Sequence, residues 1–274
     1  MAARILSVVN LKGGVGKTAI AVNFAAYCAK NGKKTLLVDM DPQTNATFSC
    51  VDAEAWKTHA KTHGTVADLL GMRAHTNAEG AEKKVSDVRL KGVFSGLLDL
   101  VPSHLDLFTI DLDMANATAR ETKLRRAFAP IKDEYDIIVC DCPPNLTIPT
   151  QNALAASTHF AVPISPDYLS GLGVALLLTR VKRFSQDLEH DLAPAGIVVS
   201  RVGRPAQHRE ETVNAIRTKF PDGVLTNQIS ERVAVSKAAA QQIPVYDTGD
   251  ETAAAEFRAV SKELLERIMG GAKP

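Results

Sequence analysis

Lys12, Lys17 and Thr18 sit in the run Leu11-Lys12-Gly13-Gly14-Val15-Gly16-Lys17-Thr18, and the chemistry of this run is phosphate binding. Gly13, Gly14 and Gly16 let the backbone around Val15 turn its N–H groups inward on phosphate oxygens, with the following helix, from Ala19 on, adding its positive end. Lys17 is placed to neutralise the β- and γ-phosphates of a nucleotide, and the Thr18 hydroxyl to bind magnesium. The usual loop opens on glycine where this chain has Leu11, and Lys12 is a second fixed cation that holding a nucleotide does not require. Three acids suit the same chemistry: Asp39 and Asp41 after one apolar run, and Asp141 at the end of another. An acid that closes a buried strand beside such a loop is the usual partner of the magnesium ion.

The elements that must position these groups alternate along the chain. Ile5-Leu6-Ser7-Val8-Val9 predicts a buried strand before the loop, and Ala19 to Ala26 a helix after it. Further strands are expected at 34–39, 97–101, 136–141, 159–163 and 196–200, and helices at 122–129, 171–188, 210–219, 233–241 and 251–269. Residues 49–95 are more polar and are expected to form peripheral helical insertions and loops over the sheet edge. The alternation predicts an α/β fold with a mostly parallel sheet flanked by helices on both faces. The loops at the strand C-termini then share one edge, which brings Asp39, Asp41 and Asp141 to the phosphate loop. No linker or repeat divides the chain, so one domain is expected over 1–274, closed by a C-terminal helix over 250–270.

Composition narrows the options. The 274 residues are 45% hydrophobic, enough for a sizeable core, and the formal net charge of +1 gives no global pull toward nucleic acid or membrane. Aromatics at 5% argue against base-stacking platforms. Cys28, Cys50, Cys140 and Cys142 show neither metal-ligand spacing nor a redox pair, so buried thiols are expected. With no leader peptide or membrane span expected, the reading is a cytoplasmic protein.

Taken together, the motifs resemble the ParA/MinD family of deviant Walker A ATPases. Lys12 to Thr18 is similar to that family's phosphate loop, Asp39-Met40-Asp41-Pro42-Gln43-Thr44-Asn45-Ala46-Thr47 to its second motif, and Ile137 to Pro144 to its Walker B segment. Arg120 to Ala127 also matches, and Arg232-Val233-Ala234 with Ala238-Ala239-Ala240 resembles small plasmid-partition ATPases. The likeness is weak between residues 49 and 95. It implies ATP and Mg²⁺ as cofactors, with Lys12, Gly13, Gly14, Val15, Gly16, Lys17, Thr18 and Ala19 around the nucleotide. It implies a homodimer that sandwiches two ATP molecules, with Lys12 reaching the partner's phosphates as an arginine finger does elsewhere. Asp41 would position the attacking water, and Thr18, Asp39 and Asp141 would serve the metal. Adenine contacts are implied around 163–166 and 200–204.

Relatives of this type bind DNA without sequence preference when dimerised, which requires clustered cations. Arg201, Arg204, Arg209, Arg232 and Lys237, with Arg217 and Lys219, are the candidates, diluted by Glu210, Glu211, Asp222 and Glu231. The resemblance implies nucleoid association and a ParB-like or other partner that stimulates hydrolysis. The alternative is a MinD-like membrane-surface regulator. The last helix carries Phe257, Val260, Leu264 and Ile268 on one face, but Glu256, Glu263 and Glu266 offset its bases, so a core-packed helix is expected instead.

Overall fold

A computed structural model describes residues 2–72, 83–167, 170–203 and 207–270. Seven strands form one sheet: β1 (Arg4–Val8), β2 (Thr35–Asp39), β3 (Leu90–Gly92), β4 (Leu98–Val101), β5 (Ile137–Asp141), β6 (His159–Ile164) and β7 (Ala193–Val199). Their spatial order is β3-β4-β2-β5-β1-β6-β7, and only β3 runs antiparallel to its neighbour.

The helices up to the sheet edge are α1 (Lys17–Lys30), α2 (Asn45–Phe48), α3 (Ala53–Thr62), α4 (Val66–Leu69), α5 (Val85–Val88) and α6 (Val93–Gly96). The chain continues through α7 (Ile110–Asp113), α8 (Lys123–Phe128), α9 (Ile148–Ala156), α10 (Ser170–Asp187), α11 (Gln207–Lys219), α12 (Val233–Gln241) and α13 (Glu251–Met269).

Strand side chains alternate between two buried layers, as a sheet covered on both faces requires. Leu37, Val139 and Leu6 face α1 and α13, where Phe24, Phe257, Val260, Leu264 and Ile268 pack. Leu36, Val38, Ile138 and Cys140 face the other layer, with Leu124, Phe128, Leu154, Val174 and Leu177. The apolar face of α13 is therefore core, as expected, and no helix among the described residues is long and apolar enough to cross a membrane.

Residues 49–95 depart from the expectation of a peripheral insertion. Val66, Leu69, Leu70, Val85 and Val88 are buried within the main core, and Leu90–Gly92 adds the antiparallel edge strand. Three residues carry no readable alternation, and α4 and α5 are one turn each, too short for a helical period.

Candidate functional site

The phosphate loop joins β1 to α1. Gly14 and Gly16 have φ of +74° and +83°, the left-handed region that glycine enters without strain, and Gly16 stands immediately before the first turn of α1. The end of β7 pins the loop from outside. Ser200 Oγ donates to the Val15 carbonyl at 2.6 Å, and Arg201 Nη1 donates to the Gly14 carbonyl at 2.6 Å. Inside, Lys17 is buried and its Nζ donates to the Lys12 carbonyl at 3.1 Å. Burial pulls the Lys17 ammonium below its ordinary range, opposed by the Asp141 and Asp41 carboxylates.

The parallel register sets Asp39 directly beside Asp141 at the ends of β2 and β5. Their environments differ. Asp39 Oδ2 accepts from Thr47 N at 2.8 Å and Thr47 Oγ1 at 2.7 Å, while Asp39 Oδ1 accepts from Asp41 N at 3.1 Å. Asp39, expected to serve the metal, thus has both of its oxygens engaged in shaping the loop that carries Asp41. Asp41 is also buried and accepts from Gln43 N at 2.9 Å. Asp141 is wholly buried, and among the described residues neither carboxylate oxygen has a hydrogen-bond partner. Burial raises its pKa well above the carboxylate range; the neighbouring Asp39 raises it further, and the nearby Thr18 hydroxyl opposes this.

A buried carboxylate with two orphan oxygens beside a threonine hydroxyl fits a hydrated divalent cation, whose charge would offset what burial costs. Without the cation the carboxylate is a liability, which gives a testable sign. Because the folded carboxyl holds its proton to higher pH than the unfolded one, ionising it costs stability as pH rises above about 4. Asp141→Asn is therefore expected to raise the melting temperature of the ligand-free protein at neutral pH by a few degrees, for a gain of about 1–3 kcal/mol. Its advantage should widen from pH 5 to pH 8 in differential scanning calorimetry, and it should lose magnesium-dependent nucleotide binding. A variant less stable at every pH would contradict the assignment.

Lys12 is placed differently from Lys17. Its side chain is 53% exposed at the lip of the loop, with Nζ 2.5 Å from Asp167 Oδ2 on the segment after β6. Asp167 escaped sequence reading because it stands 155 positions away with no motif around it.

Beyond the loop a cleft of about 1030 Å³ opens between α1 and α12, with Ser200, Arg201, Glu231, Arg232 and Val233 on its wall. Of the residues implied around adenine, Ser200 and Arg201 line this cleft and residues 163–166 do not. The candidate DNA residues are redistributed. Arg201 Nη2 pairs with Glu231 Oε1 at 2.6 Å and Arg232 with Glu256 at 3.6 Å, and both arginines line the cleft wall. Arg217 donates to the Leu225 and Thr226 carbonyls. Lys237 is exposed on α12. Arg209 is on α11 with its side chain outside the description, and Arg204 lies outside the described residues.

Strand, glycine loop and helix, with an acid closing the adjacent strand, define a P-loop nucleotide hydrolase. Comparison with known proteins narrows the class. The AAA domain family matches residues 3–194. The chain is 34% identical over 265 residues to the chromosome-partitioning ATPase Soj of Treponema pallidum, covering 96% of this chain and 98% of that protein. It is 31% identical over 266 residues to the cell division protein PomZ of Myxococcus xanthus, covering 96% of this chain and 78% of that protein. Among solved structures, cobyrinic acid a,c-diamide synthase from Mycobacterium smegmatis, with bound ATP analogue and magnesium, is similar with a TM-score of 0.81 at 25% identity, covering 99% of this chain and 97% of that one. The chain belongs to the ParA/MinD family of P-loop ATPases.

Proposed function

We propose that this chain is a ParA-type positioning ATPase: ATP with Mg²⁺ closes two copies face to face, the dimer binds DNA without sequence preference, and a partner protein triggers hydrolysis and release. The observation that carries this reading is the contrast between the two lysines. Lys17 is buried within the loop, whereas Lys12 holds its charge at the exposed lip, where its own nucleotide does not need it. An exposed ion pair such as Lys12–Asp167 contributes at most about 1 kcal/mol, so a phosphate from a second copy outcompetes it readily.

Within this reading each residue has a defined task. The loop amides of Gly13 to Thr18 and the α1 N-terminus cradle the phosphates, and Lys17 neutralises them. Thr18 and Asp141 hold the magnesium ion, which when bound spreads the charge that develops on the phosphates. Asp41 orients the attacking water, and Lys12 stabilises the partner's transferring phosphoryl group. The γ-phosphate is then held by both copies, so ATP selects the dimer and hydrolysis releases it. Slow turnover by the protein alone, accelerated by a ParB-like or other partner, makes the cycle a switch. Relatives named for chromosome partitioning and for cell division support a positioning role; the cargo is then a DNA locus or a protein assembly, and the ATP-bound dimer acts on the nucleoid.

The test is binding of random-sequence duplex DNA by the whole protein with ATP or ADP present. Binding is expected with ATP alone, weakening steeply between 50 and 200 mM salt, on the order of a thousand-fold if about six phosphates are neutralised. ATP-dependent sedimentation with anionic liposomes and none with DNA would replace this reading with the membrane-surface alternative. Burial of the apolar face of α13 weighs against that outcome.

A further inference from the structure

The peptide of Asp41 is held at both ends. Its N–H donates to Asp39 Oδ1 at 3.1 Å, and its carbonyl accepts from Ser103 Oγ at 2.7 Å. Ser103 N donates to Thr47 Oγ1 at 2.9 Å, and Thr47 Oγ1 donates to Asp39 Oδ2 at 2.7 Å, which closes a ring of hydrogen bonds. Ser103 is fully buried just past the end of β4, 62 positions from Asp41. Its third polar group, the carbonyl, accepts from Trp56 Nε1 at 3.0 Å.

Trp56, the only tryptophan of the chain, is wedged behind this ring. Its indole stacks on His104 with centroids 5.6 Å apart, and meets Phe48 edge-on at 5.4 Å. Phe48 closes α2, the helix that follows Asp41, so one side chain braces the Asp41 loop through Ser103 and through α2. Residues 49–95 thus reach the Asp41 loop through Trp56 on α3.

We propose that Ser103, backed by Trp56, is a positioning residue for ATP hydrolysis: it fixes the Asp41 main chain so that the carboxylate stands where the attacking water must be. The inference rests on the reading of Asp41 as the residue that orients this water. A side chain whose backbone is pinned on both sides loses little order on substrate binding, whereas a displacement of about 1 Å costs up to a hundred-fold in rate. Removing the Ser103 hydroxyl leaves the Asp41 carbonyl with only the local turn bond from Thr44 N, at 2.9 Å, and cuts the tie that fixes this turn to the end of β4.

Steady-state and single-turnover ATPase of the whole protein, with nucleotide affinity measured by displacement of a fluorescent ATP analogue, tests this. Ser103→Ala is expected to lower kcat about ten-fold with the nucleotide Kd within about two-fold of the parent. Trp56→Phe keeps an aromatic ring and removes only the N–H, so it is expected to lower kcat about three-fold. In an Asp41→Ala background, Ser103→Ala is expected to cost nothing more, because both changes act through one carboxylate. Wild-type kcat in both Ser103→Ala and Trp56→Phe overturns the inference, as does a loss that multiplies in the Asp41→Ala background or a parallel loss of nucleotide affinity. If Ser103→Ala does not fold, Trp56→Phe at a partly exposed position decides, wild-type kcat again overturning the inference. Normal hydrolysis by Asp41→Ala instead sinks the reading of Asp41 and this inference with it, so the two failures are distinguishable.

Discussion

Asp41→Ala is expected to bind ATP and form ATP-dependent dimers while hydrolysing about a hundred- to ten-thousand-fold more slowly than the parent, the range that a positioned acid–base or water-orienting group supplies. Three features make this a loss of chemistry and not of fold. The Asp41 backbone is held by Asp39 and Ser103, neither of which uses the carboxylate. The carboxylate itself accepts from Gln43 N, on a loop that Thr47 anchors independently. Its pKa is raised because it is buried, so removing it relieves desolvation. Lys17 loses one of the two anions that offset its burial, but the phosphates of a bound nucleotide replace it. Quenched-flow hydrolysis beside equilibrium nucleotide binding separates the two effects. A variant that turns over normally would show that another group orients the water, and one that no longer binds ATP would return Asp41 to a structural role.

Lys12→Ala is expected to lose the dimer and about a thousand-fold or more in turnover, the scale on which a cation supplied in trans acts on phosphoryl transfer. The fold should be indifferent. Lys12 and Asp167 are both substantially exposed, and such a pair contributes at most about 1 kcal/mol. The Lys12 backbone contacts survive the change, since its N–H donates to Asn10 Oδ1 at 3.0 Å and its carbonyl accepts from Lys17. Nucleotide binding to the single chain should therefore persist within about ten-fold, less whatever the dimer adds by mass action. Mixing Lys12→Ala with Asp41→Ala probes the sandwich directly. In a mixed dimer one site keeps its own Asp41 and receives Lys12 from the other copy, so turnover should rise above that of either variant alone. No recovery on mixing would argue that Lys12 serves its own site.

What the sequence made legible was local. The phosphate loop is eight consecutive residues between an apolar run and a helix, and Asp39 and Asp141 each close a largely apolar run, so neighbouring residues carry the signal. The edge strand β3 and the one-turn helices α4 and α5 are too short to show a period, and α9 was not read because Pro149, Thr150 and Asn152 interrupt its apolar pattern. The site partners that were missed are long-range. Ser103 reaches Asp41, Asp167 reaches Lys12 and Arg201 reaches Gly14 only because parallel strands deliver their C-terminal loops to one edge. Topology predicts that such meetings occur without saying which side chains meet. Arg201 and Arg232 show what charge counted along the chain leaves out: each is paired with an acid, Glu231 and Glu256, and lines the cleft beside the phosphate loop.

The central claim is that ATP joins two copies through Lys12, and the most direct measurement is the mass of the whole protein by sedimentation velocity. Magnesium with a non-hydrolysable ATP analogue should give a species of twice the chain mass, magnesium with ADP a single-chain species, and Lys12→Ala a single-chain species with either nucleotide bound. A single-chain mass for the parent at saturating analogue, or a dimer that forms equally well in Lys12→Ala, would contradict it.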